Sequence, residues 1–148
     1  MTVVYAKGYA QTVEKTDGAI LSGLDSLFTI TGGPIMVTEF MGFVTTLIVG
    51  AATLHIEETV TTPASTLVLS STVAVDDNAA GTSYTFTVAT PGVLTPTTVG
   101  GFLVVPAMRW LCPIGTIACH GSAARVGVIK WYMAYIPLSQ FSKVIAAA

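Results

Sequence analysis

Apolar side chains recur at every second position along much of this chain, in short runs. Phe28 and Ile30 alternate with Thr29 and Thr31, Leu54 and Ile56 with Thr53, His55 and Glu57, and Tyr84, Phe86 and Val88 with Thr85 and Thr87. Further on, Ile117 and Cys119 oppose Ala118 and His120, and Ile129, Trp131, Met133 and Tyr135 oppose Lys130, Tyr132 and Ala134. A period of two sends successive side chains to opposite faces of a strand, whereas a helix repeats every ~3.6 residues. Gly32-Gly33-Pro34, the Asp76-Asp77-Asn78 stretch before Gly81, and Pro106 interrupt the runs as turns do. About eight strands punctuated in this way are the pattern of an all-β fold, an antiparallel β-sandwich that is jelly-roll-like. Gly42 is expected to bend the long apolar stretch over residues 35–48. One helical turn is expected, over residues 17–27, with Asp17 as N-cap and Ile20, Leu21 and Leu24 as its apolar stripe.

The 148 residues fit one domain, and a chain of this size buries ~68–70% of its unfolded surface. No linker or repeat divides it. The expectation is a single sandwich over residues 1–148, with a core over 17–137, an N-terminal arm over 1–16 and a C-terminal arm over 138–148. Val3, Val4, Tyr5 and Tyr9 in the first arm, and Phe141, Val144 and Ile145 in the second, are the candidate partner-binding side chains. Apolar termini are useful where they lie on a neighbour. Alternatively, an arm adds an edge strand to its own sheet.

Charge is scarce. Six Lys/Arg and eight Asp/Glu make 9% of the chain, against 52% hydrophobic residues, where ordinary soluble domains carry ~25% charged residues. Charge is the usual covering of a lone monomer, so much of this surface is expected to lie against other subunits. The cations are scattered and the net charge is −2, which argues against direct nucleic-acid binding, since that relies on clustered Lys and Arg. Mean hydropathy is +0.74, yet the uncharged run between Glu39 and His55 holds only about 15 residues, short of the ~20 of a spanning helix. It is also rich in Thr, Gly and β-branched residues, so no membrane partner is expected. The first residues lack the basic and apolar regions of a signal peptide, so synthesis in and retention by a cytoplasm is expected.

Chemistry is hard to find. No nucleophile elbow and no triad spacing is present, and the expectation is not an enzyme and no cofactor. His55 lies two residues before Glu57 on one strand face, which brings them within reach of each other. Cys112, Cys119 and His120 resemble part of a zinc set but lack its spacing and a fourth ligand. A tight hairpin at Gly115-Thr116 would put the two cysteines opposite each other, although buried free thiols suit a cytoplasmic chain better. Asp76, Asp77 and Asn78 offer oxygens of the kind calcium takes, but also what any turn wants. No metal site is expected. Trp110, Trp131, Tyr132 and Tyr135 could stack on sugars, which keeps a carbohydrate- or surface-binding module as an alternative.

Two segments carry a resemblance: residues 27–38, LFTITGGPIMVT, followed by GFVTT from Gly42, and residues 127–138, GVIKWYMAYIPL. With the Thr/Val/Ala-rich middle, they resemble small structural proteins of tailed bacteriophages, most closely the capsid decoration (cement) type. The resemblance implies a β-rich homotrimer on the virion surface, bridging neighbouring copies of a major capsid protein against the pressure of packaged DNA. Other virion positions, in the tail tube, neck or fibre base, are the nearest alternatives.

Overall fold

A computed structural model of the chain describes residues 9–20, 22–87, 93–97 and 109–148. These form β1 (Gln11–Ile20), β2 (Gly23–Thr31), β3 (Ile35–Val49), β4 (Thr53–Val60), β5 (Ser65–Val68), β6 (Val73–Ala74), β7 (Ser83–Thr87), β8 (Val93–Thr97), β9 (Trp110–Cys112), β10 (Gly115–Gly121), β11 (Arg125–Pro137) and β12 (Lys143–Ala146). Sheet I runs β1-β11-β3-β7-β8 with β9 also on β3, and sheet II runs β12-β2-β10-β4-β5 with β6 also on β4. Every strand pair is antiparallel.

The order follows from one long hairpin rolled on itself. β1 pairs with β11, β2 with β10, β3 with β7, and β4 with β5. These ribbons alternate between the sheets, and β11 then joins β3 while β10 joins β4. That winding is a jelly roll, to which β12 and β8 add edge strands.

The inward positions are those the alternation marks. Phe28, Ile30, Leu54, Ile56, Ile117, Ile129, Trp131, Met133 and Tyr135 all belong to the one core between the sheets. Trp131 is its centre, tilted over Phe40 at 5.6 Å and stacked with Tyr84 at 6.2 Å. Gly42, expected as a bend, is instead the seat of that ring. It is the cross-strand partner of Trp131 within an unbroken β3, and a Cβ there would lie 2.6 Å from the indole.

The helical turn expected over residues 17–27 is absent. β1 runs through Ile20 and β2 begins at Gly23, with Asp17 paired to Ile129 and Leu24 to His120; Leu21 lies outside the described residues. Leu24 points to solvent at 51% exposure, while Ile20 is buried, so no helical stripe forms. Gly115 and Thr116 lie inside β10, so the hairpin that would have set the two cysteines opposite each other does not form there.

Both terminal segments, where described, are strands of the chain's own sheets. Residues 11–16 belong to β1, and β12 lies along β2 with Val144 opposite Ile30. The last segment is pinned at the β2–β3 turn, where Ser142 Oγ donates to Pro34 O at 2.8 Å and Leu138 N donates to the same carbonyl at 3.2 Å. Gly32, at φ +75°, lets Phe141 pass so closely that any Cβ would collide with its carbonyl. Val3, Val4 and Tyr5 lie outside the described residues, as do residues 102–105.

Candidate functional site

Both outer faces expose apolar side chains, and sheet I exposes more of them. On sheet I, the outward positions of β3, β9 and β11 are largely apolar. Val126 is 72% exposed, Leu111 and Val49 55%, Leu47 46% and Phe43 39%. Val126 and Val49 are cross-strand partners, and Leu111 is paired with Met36. Lys130 on β11 is paired: its Nζ meets Glu14 Oε2 at 3.0 Å and lies 5.2 Å from the Tyr132 ring centre. Sheet II carries a threonine row, Thr29, Thr116, Thr59 and Thr66, in register across four strands, and beside it the exposed Leu24, Val68 and Ile145.

Both histidines of the chain lie on the outer face of sheet II. His55 on β4 and His120 on β10 are directly paired, with ring centres 4.9 Å apart and edge to face. Glu57, two residues along β4 from His55, faces both: its Oε2 is 3.3 Å from His55 Nε2 and 3.8 Å from His120 Nδ1. The contact between His55 and Glu57 is legible from their spacing. His120 is not, because only the β4–β10 register brings it there; its place on the polar side of its own strand was the one available signal.

The other residues singled out by the sequence serve the fold. Cys112 and Cys119 are free and buried, on β9 of sheet I and β10 of sheet II. Cys112 Sγ donates to Glu58 Oε1 at 3.0 Å across the core. Burial pushes both thiols far above their usual range, and Glu58 further raises that of Cys112. Neither is a nucleophile near neutrality. Asp76 Oδ1 accepts the Ala52 N–H at 2.8 Å and Asp77 Oδ1 the Gly50 N–H at 3.0 Å, so these carboxylates tie a turn to the start of β4. Trp131 and Tyr135 are buried and Trp110 packs against the core, which leaves only Tyr132 of the expected sugar-stacking set on an outer face.

Of the expected partner-binding residues, Tyr9 is 91% exposed and Phe141 69%, Ile145 is half-exposed, and Val144 is buried in the core. Sequence reasoning missed Asp17 and Asp25, which line a small cleft with Cys119 and Trp131 at the β1–β2 edge. Burial, then repulsion from Asp25, lifts Asp17 to about 6, against the pull of Lys15 and a hydrogen bond from Trp131.

Compared with protein-family models, with curated proteins and with solved structures, the chain finds no match.

Proposed function

We propose that this chain is a virion structural protein, a capsid decoration protein of a tailed-phage head, which docks through the apolar outer face of sheet I. The observation that carries this reading is that face: large aliphatic side chains left in water on a chain with only 9% charged residues. Exposed apolar area of this kind marks protein–protein contact. Its burial contributes ~25 cal/mol per Å² before the costs of association are subtracted. In a homotrimer seated over several copies of a major capsid protein, repeated weak contacts add avidity. The jelly-roll sandwich, a rigid scaffold with its core closed around Trp131, suits a load-bearing role better than a catalytic one.

Light scattering behind a sizing column, followed by sedimentation with assembled phage heads, tests this. A trimer that co-sediments with heads supports the proposal. A concentration-independent monomer that stays in the supernatant overturns it, and co-sedimentation with tails alone moves the protein to the tail or neck.

A further inference from the structure

We propose that His55, Glu57 and His120 form a binding site for one divalent transition-metal ion of the zinc class, with a fourth coordination position open to solvent. The site lies on sheet II, on the opposite side of the sandwich from the docking face, and does not depend on the docking reading.

The placement is set by backbone geometry. Residues two apart on a strand point the same way, and directly paired residues on antiparallel neighbours have Cβ atoms ~4.5–5.5 Å apart. β4 and β10 are both interior strands of sheet II, flanked by β2 on one side and by β5 and β6 on the other. The three side chains therefore start from a stiff platform. The chain has only two histidines, and the fold sets them face to face with one carboxylate between them.

The spacing also has the size that an ion needs. One ligand atom from each residue lies within 4.8 Å of the other two. Tetrahedral zinc with bonds of ~2.0–2.1 Å holds its ligand atoms ~3.3–3.5 Å apart. The His55–Glu57 separation of 3.3 Å already has that size, and the 3.8 Å to His120 lies a few tenths of an ångström beyond it. A charge-assisted N–H···O⁻ bond would draw the partners to ~2.7–2.9 Å. Here His55 Nε2 keeps a long hydrogen bond to Glu57 Oε2 at 3.3 Å, and His120 Nδ1 stands 3.8 Å from the same oxygen.

The donor set and its exposure define the class of ligand. Two nitrogens and a carboxylate suit zinc, copper, nickel or cobalt, whereas magnesium and calcium want oxygen shells. Glu57 and His55 form the floor, with side chains 13% and 21% exposed, and His120 is the open wall at 44%. Three protein ligands with an accessible fourth position leave room for water or for a donor from another molecule.

The test is calorimetric titration of the full chain, stripped with chelator, against zinc chloride and against magnesium chloride. The expected result is saturable binding of one zinc per chain and none of magnesium, with His120→Ala and Glu57→Gln each weakening zinc by about tenfold or more. Proton NMR of the wild-type chain needs no variant: zinc must shift the ring signals of both histidines. No saturable zinc binding up to ~1 mM, or binding that leaves the histidine signals unmoved, overturns the proposal.

Discussion

A methyl group at Gly42 would lie 2.6 Å from Cζ3 and 2.8 Å from Cε3 of Trp131, and that ring is fully buried against Phe40 and Tyr84. Overpacking of this kind costs ~1–3 kcal/mol. Gly42→Ala should therefore lower the unfolding free energy from urea titration by that amount, shifting the midpoint at an unchanged slope. Asp17 acts in the opposite sense. Its carboxyl rises from 3.8 to about 6 on folding, through burial first and Asp25 second. The folded state thus holds its proton more tightly than the unfolded chain. The associated stability is complete below pH ~4 and is lost as pH rises towards ~6. Asp25 and Glu58, also raised by burial, have the same sign. Asp17→Asn should accordingly stabilise the protein at pH ~7 by on the order of 1–3 kcal/mol and flatten the pH profile of its melting temperature. An unchanged profile would mean that Asp17 stays solvated in the folded state. At this scale the sequence was readable wherever a side chain answers to its own strand: Trp131 inward, Glu57 beside His55. It was silent on Asp17 with Asp25, Cys112 with Glu58 and His55 with His120, because each of those meetings joins separate strands.

The C-terminal element separates core from surface within a few residues. Val144 is 8% exposed, opposite Ile30 on β2, whereas Phe141 is 69% exposed on the turn before it. Val144→Ala removes buried methyl groups and leaves a gap, which destabilises cores by ~1–3 kcal/mol. Phe141→Ala should leave the unfolding free energy within ~0.5 kcal/mol of the parent. If both variants unfold alike, Phe141 is held by packing along the Gly32 turn and is not free for a partner. Most strands were legible because alternation is a local property. The span of β1 and β2 was not: Asp17, Ile20 and Leu24 also satisfy a helical spacing. Pairing with β11 and β10, more than a hundred residues apart in part (Gln11 opposite Tyr135), overrode that local preference.

At the scale of the molecule, scarce charge raised the expectation of a covered surface without saying which face the proposed docking would use. Locating it requires β11, β3 and β9 to be neighbours, an outcome of the roll and not of any one strand's composition. Once they are side by side, Val126 and Leu111 expose apolar surface on sheet I. Both are exposed in the single chain, so Val126→Asp with Leu111→Asp should change its stability by little, within about 1 kcal/mol. In a closed interface the same carboxylates would be buried without partners, at a cost of several kcal/mol each. The double variant should therefore melt like the parent as an isolated chain yet sediment as a monomer and fail to decorate phage heads. Since sheet II is untouched, its zinc titration should match that of the parent. Assembly that survives both aspartates would remove sheet I as the docking face and leave the Tyr9 and Phe141 ends of the chain as the surfaces to alter next.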